Sequence, residues 1–359
     1  MVHSDRPATL RDVATAAGVH PATASRALNP ATRPLVSEDT ARRVSDIAAR
    51  LGYRPNPVAR SLRTRRSDTI GVLIPDLKNP LYPPVVRGIE DRLAEHGYVA
   101  LLGNTDADVI KERLVFGQLR ARQVDGFVLG TPTAGSPILA EAAAADVPLV
   151  LMNRTPGDGP FSSVSVDNEQ GARSAVAHLA ALGHTRIGHI AGPQDGSAGP
   201  VRLRGFQAGM AAHHLPVSAD QVGYAAAYLL EEGVRCGRAL LAARPDLTAV
   251  IAANDMLAVG CYTALDDLGL RCPQDVSVVG FNDMPFVDRL RPPLTSVRFP
   301  LYQLGTEAAT LLVERIETAC APVKALFLAP ELVVRGSTAP PAPGAGQVGA
   351  AVPLRRSTA

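Results

Sequence analysis

Between Leu10 and Leu28 the chain carries two short helical patterns separated by one glycine-bearing turn. Leu10, Val13, Ala14 and Ala17 fall at i, i+3, i+4 and i+7, which gives a first helix a single apolar face. Thr9 stands as its N-cap, with Asp12 three residues on in a near capping-box arrangement. Gly18 supplies the C-terminal stop, and Pro21 opens a second helix where a missing N–H costs nothing. Ala24, Ala27 and Leu28 turn inward, leaving Pro21, Ala22, Ser25 and Arg26 outside. Two short helices joined in this way make a helix-turn-helix. Small residues on the second allow close approach to a groove, and one arginine there can pair with guanine O6 and N7. A third helix is marked by Ser37 as N-cap, with Glu38 and Asp39 in its first turn. Val36 is placed to staple onto Ala41, and Val44, Ile47, Ala48 and Leu51 form the inner face before Gly52.

The plain alternative for this stretch is a small helical subdomain that happens to expose an arginine. Charge argues against it. Residues 1–66 hold twelve arginines and no lysine against five acids, a surplus of seven in a chain whose net charge is +2. A basic head on an acidic body is the electrostatic footprint of nucleic-acid binding. The segment Pro55-Asn56-Pro57-Val58-Ala59-Arg60-Ser61-Leu62 follows at once, then the basic linker Arg63-Thr64-Arg65-Arg66.

Beyond residue 68 apolar strands alternate with helical stretches. Thr69–Pro75 reads as a buried strand, and Val85, Ile89, Leu93 and His96 follow at helical spacing up to Gly97. Val99–Leu102, Gly126–Leu129 and Leu149–Met152 repeat the theme. The pattern restarts at Val164–Val166 and continues at Arg186–Ala191, Ala249–Ala253 and Val276–Gly280. Short apolar strands separated by helices imply parallel sheets covered on both faces. The expected fold class is therefore α/β with an all-α head, its body made of two doubly wound parallel sheets. A ligand cleft is expected at the strand carboxyl ends. Residues 337–359 are rich in Pro, Gly and Ala and read as a disordered tail.

Other classes find little support. The N-terminus lacks the apolar region of a signal peptide, and no apolar run is long enough to span a membrane. The expectation is a cytoplasmic protein with no membrane partner. Cys236, Cys261, Cys272 and Cys320 are scattered without CxxC spacing and read as reduced thiols, and His213-His214 reads as an exposed helix end, so no metal site is assigned. No G-x-S-x-G elbow, P-loop or G-x-G-x-x-G after a strand is present. No catalytic residue and no cofactor are assigned, and a non-enzyme is expected.

In order, spacing and content, VATAAGVHPATASRALN and LGYRPNPVARSL resemble the helix-turn-helix and hinge of the lactose-repressor (LacI/GalR) family of bacterial transcription regulators. The resemblance runs on to about residue 336. It implies a helix-turn-helix domain at 1–54, a hinge helix and linker at 55–68, and a periplasmic-binding-protein-like bilobed domain at 69–336 for effector binding and dimerisation. Lobe 1 would take about 69–165 and 299–325, and lobe 2 about 166–297 and 326–336.

Carried over position by position, Pro21, Ala22 and Arg26 would read major-groove bases and Thr23 and Ser25 would meet phosphates, with Thr9, His20 and Asn29 in the same interface. Asn56, Ala59, Arg60 and Leu62 would form the minor-groove hinge, Leu62 as the wedge that opens a base step. About eight residues do not hold a helix alone, so the hinge would be ordered by DNA and a second subunit's hinge. His20 departs from the family's usual Ser; it implies either a weaker cap or a ring that contacts phosphate.

For the effector, the resemblance points to Leu81 and Tyr82 lining the cleft, Arg202 as clamp, Tyr228 stacking on the ligand, and Asn254 in contact. Phe281-Asn282-Asp283 matches the family's FDD stretch. Asn153 and Asn282 stand where relatives usually hold Asp. An amide keeps one acceptor, adds donors and removes charge. Two readings stay open: an anionic effector such as a sugar acid or phosphate, or the same hydroxyls of a neutral sugar.

The implied function is a homodimeric repressor of carbohydrate-use genes. It would bind palindromic double-stranded operator DNA and be switched by a small sugar-like effector. Induction and corepression are both open, with release by inducer favoured. The tail lacks a leucine heptad, so a dimer rather than a tetramer is expected. The alternative is a solute-binding protein of the same bilobed fold, which would need a signal peptide and no basic head.

Overall fold

A computed structural model describes residues 8–29, 32–54, 66–131, 136–153, 159–196, 198–318 and 320–342. It divides into two compact units between Ser67 and Asp68.

The first unit contains α1 (Leu10–Ala16), α2 (Pro21–Leu28) and α3 (Glu38–Arg50). The Thr9 capping box forms in full: Thr9 N–H donates to Asp12 Oδ2 at 2.8 Å, and Asp12 N–H donates to Thr9 Oγ1 at 3.4 Å. Six of the nine buried core residues are alanine, with Val13, Val44 and Ile47 the exceptions. Small side chains let three short helices close on one another where larger ones would hold them apart. Two expectations need correction. Ser37 sits at the N-cap of α3, but its hydroxyl donates to Thr40 Oγ1 rather than accepting from the backbone. Leu51 is 40% exposed, and Tyr53 packs against the core in its place.

The second unit holds two six-stranded sheets. In chain order come β1 (Thr69–Ile74), α4 (Tyr82–Glu95), β2 (Val99–Asn104), α5 (Val109–Ala121), β3 (Gly126–Leu129), α6 (Pro137–Ala144), β4 (Leu149–Met152) and β5 (Ser162–Val166). Then follow α7 (Asn168–Ala181), β6 (Ile187–Ala191), α8 (Ala198–Ala212), β7 (Val222–Tyr224), α9 (Leu230–Ala243), β8 (Ala249–Ala252), α10 (Asp255–Asp267), β9 (Ser277–Asn282) and β10 (Thr295–Arg298). The chain closes with α11 (Leu301–Glu317), β11 (Ala325–Leu328) and β12 (Glu331–Val333). Sheet order is β11-β5-β4-β3-β1-β2 in the first lobe and β12-β10-β9-β8-β6-β7 in the second. β3 and β4 are buried at every position, as strands covered on both faces must be.

The chain passes between the sheets three times: after β5, after β10 and after β11. α11 returns to the first lobe and lies against α4 at backbone distance. A Cβ on Gly88 would stand 2.2 Å from the Tyr302 carbonyl oxygen, and one on Gly305 would stand 2.0 Å from that of Val85. Only glycine permits this approach.

Three expectations about the lobes are corrected. The strand at Val164–Val166 does not open the second lobe; it begins at Ser162 and pairs with β4. Residues 326–328 likewise belong to β11, which pairs with β5 in the first sheet, so the last crossing comes after Leu328. Hydrophobic period reveals a strand but not its neighbour. The second sheet is also not wholly parallel, because β12 runs antiparallel to β10.

The expected tail is ordered over its first residues. Ser337 Oγ–H donates to the Val278 carbonyl at 2.6 Å, and Thr295 N–H donates to Ser337 Oγ at 2.8 Å. Val278 N–H donates to the Ser337 carbonyl, and Ser277 and Ala339 exchange two further bonds. Residues 337–339 thus satisfy backbone groups that the second sheet would otherwise bury unpaired. Residues 343–359 lie outside the described residues. Ser337→Ala should cost about 1–3 kcal/mol, because it orphans the buried Thr295 N–H; urea unfolding of the full chain measures it.

Candidate functional site

In the first unit α2 presents the expected outer face. Ala22 and Arg26 are exposed, Pro21, Thr23 and Ser25 are half-buried, and Ala24 and Ala27 are buried. The far end of the helix is braced: Thr32 Oγ1–H donates to the Arg26 carbonyl at 3.2 Å, and Thr32 and Arg33 N–H groups both donate to the Asn29 carbonyl. Asn29 ends the helix as its C-cap, and Thr9 caps α1. His20 is the N-cap of α2 and accepts the Ala22 N–H on Nδ1 at 3.2 Å. The ring therefore performs the cap expected of a Ser. Asn56, Ala59, Arg60 and Leu62 lie outside the described residues.

In the second unit all seven candidate effector residues lie at carboxyl ends of strands or in the segments that follow. Leu81 and Tyr82, after β1, are buried at the start of α4. Asn153, directly after β4, is buried with φ +53° and donates its N–H to the Val164 carbonyl. Gly130, after β3, lies within side-chain reach of both Met152 and Tyr82. These residues gather on the first lobe.

Arg202, Tyr228, Asn254 and Asn282 gather on the second. Arg202 is only 2% exposed. Its Nε–H donates to Asn168 Oδ1 at 2.7 Å, one terminal N–H donates to the Ala253 carbonyl, and the other donates to Asn282 Oδ1 at 3.3 Å. The guanidinium also lies over the rings of Phe281 (4.5 Å) and Phe299 (5.2 Å). A planar fork of donors, stacked on aromatic faces, is thereby aimed along the strand ends. Asn254 turns its Oδ1 to the Leu257 N–H at 2.9 Å and caps α10, so this oxygen serves the fold. The Tyr228 ring lies on Gly192, where a Cβ would come within 2.5 Å of it. Its hydroxyl is buried and meets no hydrogen-bond partner among the described residues.

Several residues of this cluster were given no role from sequence, although Asp283 lies in the matched Phe281-Asn282-Asp283 stretch. Asn168, the first residue of α7, bridges the Val166 carbonyl and Arg202. Asp255 accepts the Met284 N–H at 2.7 Å and the Ser296 hydroxyl at 2.6 Å, fixing the loop after β9. Burial pushes its carboxyl up to about 7, against the pull of those two donors. Asp283 pairs with Arg298 (2.7 Å) and Arg335 (2.6 Å). The only sequence signal for these residues is a polar side chain just past a buried strand, and that signal is shared by ordinary caps.

A pocket of the second unit lies elsewhere. About 270 Å³ in volume, it is lined by Leu149, Phe161, Arg315 and Val323 among others. It sits at the amino ends of β4 and β5, opposite the candidate effector residues, and Arg315 there is paired with Asp146.

Comparison with known proteins decides the family. Residues 9–56 match the model of bacterial regulatory proteins of the lacI family, and residues 176–338 match the periplasmic binding protein-like domain. The chain is 34% identical to the ribose operon repressor of Halalkalibacterium halodurans, over 92% of this chain and 97% of that one. The chain belongs to the lacI family. It is a DNA-binding transcriptional regulator with the helix-turn-helix and bilobed architecture of that family. A structure of the lac repressor dimer bound to operator and the anti-inducer ONPF superposes with a TM-score of 0.84 at 29% identity, covering 93% of this chain and all of that one. A structure of CelR in complex with cellobiose gives 0.72 at 34% identity, covering 92% of this chain and 99% of that one. No helix among the described residues is long and apolar enough to cross a membrane.

Two buried groups make opposing contributions to the acid stability of this lacI-family body. His189, stacked on Phe206 and bonded through Nδ1 to the Ile251 carbonyl, is pushed down to about 4 by burial. Its folded value lies below its unfolded one, so it costs stability as pH falls from about 6.5 to about 4. Asp255 is raised instead, so its contribution is present at low pH and is lost as pH rises from about 4 to about 7. The two offset each other in the shared window. Asp255→Asn mimics the protonated carboxyl and should unmask His189. Unfolding free energy of the variant, measured in urea from pH 7 to pH 4, should fall with acid more steeply than wild type, by up to about 1.4 kcal/mol per pH unit.

Proposed function

We propose that this regulator is a homodimeric repressor of carbohydrate-use genes, released from a two-fold symmetric operator by a small sugar-like effector bound at the strand carboxyl ends of residues 69–336. The observation that carries the reading is the joining, in one chain, of the outer Pro21–Ala22–Arg26 face to the buried Arg202 cluster. In this reading Pro21, Ala22 and Arg26 meet base edges, and Thr9, His20, Thr23, Ser25 and Asn29 lie along the backbone. Asn56, Ala59, Arg60 and Leu62 form the minor-groove hinge. The protein acts in the cytoplasm, on the nucleoid, and performs no catalysis.

A second copy is supported by a stripe on the first lobe. Ile110 is 83% exposed and Leu114 is 60% exposed, one turn apart on α5. Solvated apolar side chains in such a stripe are what a homodimer covers. The lac repressor structure is likewise a dimer on operator DNA.

Sugar chemistry is supported by the ribose operon repressor and by the CelR–cellobiose complex. Within the cluster, the orphaned Tyr228 hydroxyl suits a ligand hydroxyl or carboxylate. The amides of Asn153 and Asn282 bring donors without negative charge, which admits sugar acids as well as neutral sugars. Effector binding switches the protein only if its affinity differs between two lobe arrangements. A solute-binding protein of the same bilobed fold would have no use for the basic head.

The test is selection of bound duplexes from a random DNA library by the purified full-length protein, with and without pooled neutral sugars and sugar acids. A symmetric consensus, released by a member of the pool, is expected. Enrichment only in the presence of the pool would make the effector a corepressor; no enrichment in either arm would sink the reading. On the selected duplex, Arg26→Ala should cost about 1–3 kcal/mol and relax preference at one base pair per half-site. A loss uniform over sequence would make Arg26 a phosphate contact.

A further inference from the structure

The candidate effector residues carry one formal charge between them. Leu81, Tyr82, Asn153, Tyr228, Asn254 and Asn282 bring none, and Arg202 brings a permanent cation. At 2% exposure that guanidinium has given up its hydration. A buried charge is stable only where opposite charge or well-placed dipoles replace the water.

The oxygens that Arg202 meets here are amide oxygens. Nε–H donates to Asn168 Oδ1 at 2.7 Å, and the terminal nitrogens donate to the Ala253 carbonyl and to Asn282 Oδ1. The buried titratable groups that sense Arg202 bring little negative charge to it. His189 is pushed down to about 4 by burial and stands neutral near pH 7. Asp255 turns its oxygens to the Met284 N–H and the Ser296 hydroxyl, and burial pushes it up to about 7. Asp283, the other acid of this strand end, is divided between Arg298 and Arg335. The cluster therefore offers a ligand a surplus of positive charge.

It also offers donors. The Tyr228 hydroxyl is buried and meets no partner among the described residues. Each terminal guanidinium nitrogen carries two N–H bonds, so one that holds a protein oxygen can hold a ligand oxygen as well. Donors gathered around a cation suit a group with several acceptor oxygens and a negative charge.

We infer that the effector is an anion, a sugar derivative whose carboxylate or phosphate oxygens lie against the Arg202 guanidinium with the Tyr228 hydroxyl as a further donor. The inference deepens the reading of a sugar-like effector and rests on it. Asn282 sets the charge of the site. An Asp there would balance Arg202 from within and leave only uncharged hydroxyls to be bound; the amide leaves the balancing charge to the ligand.

Asn282→Asp changes that charge at nearly constant shape, and full-length protein is used throughout. Without ligand, the new carboxylate should pair with Arg202 and raise the melting temperature by about 2–4 °C. Glucose, glucuronate, gluconate, ribose and ribose 5-phosphate are then titrated by calorimetry, and each is tested for release of the duplex selected with wild type. An acid or the phosphate should bind wild type more tightly than the neutral sugar of its series, and which of them binds separates a carboxylate from a phosphate ligand. Its affinity should fall about 10- to 100-fold in Asn282→Asp, the scale of a hydrogen bond to a charged group. Tighter binding of glucose or ribose overturns the inference, as does an acid bound equally by wild type and variant. A variant that melts no higher than wild type overturns it too, because Arg202 would then already have its counter-charge. If none of the five probes binds, the melting comparison decides alone. Failure of the wider reading looks different: wild type would enrich no duplex, whereas melting and calorimetry involve no DNA.

Discussion

One buried positive charge organises the second lobe. Burying a guanidinium is costly unless its donors are met, and Arg202 meets that demand with groups from four separate segments. Asn168 opens α7, Ala253 follows β8, Asn282 ends β9, and Phe299 follows β10. Two of these, Asn168 and Phe299, lie beside points where the chain passes between lobes. Arg202 is thereby joined by direct contacts to residues beside both passages.

The third passage is held by the same end of the sheet. Asp283 directly follows Asn282 and pairs with Arg298 at the end of β10 and Arg335 after β12. Arg298 also approaches Glu331, the first residue of β12, at 3.5 Å. The Asp283 carboxylate is mostly shielded from water, so its pairs are worth more than surface ion pairs. The strand end that carries a candidate effector residue is thus tied to the second and third passages by charge and to the first by the Arg202 network.

The head obeys a different constraint. Its core is too small to be stabilised by volume and relies on alanines that let helices touch and on well-made helix starts. Thr9 and His20 each satisfy backbone donors at the first turn of a short helix. In α2 this leaves the outer face to side chains, with Ala22 and Arg26 exposed on it.

The sequence by itself determined a good deal. Helical spacing from Leu10 to Leu51, the run of strands from Thr69 onward and the surplus of arginine before residue 67 are local properties, readable because period and charge need no partner. The candidate effector residues were legible only through the family resemblance, because a side chain at or after a strand end carries no local mark of what it binds. Tertiary structure decided which strand pairs with which: Ser162–Val166 and Ala325–Leu328 joined the first sheet, and Glu331–Val333 turned antiparallel. It decided that residues 337–339 dock, because unpaired backbone groups of the second sheet needed them. It also decided that Asn254 caps a helix while Asn168 and Asp255 enter the network. Those outcomes depend on hydrogen bonds between residues far apart in the chain, and a hydrogen bond has no signature in the residues on either side of it.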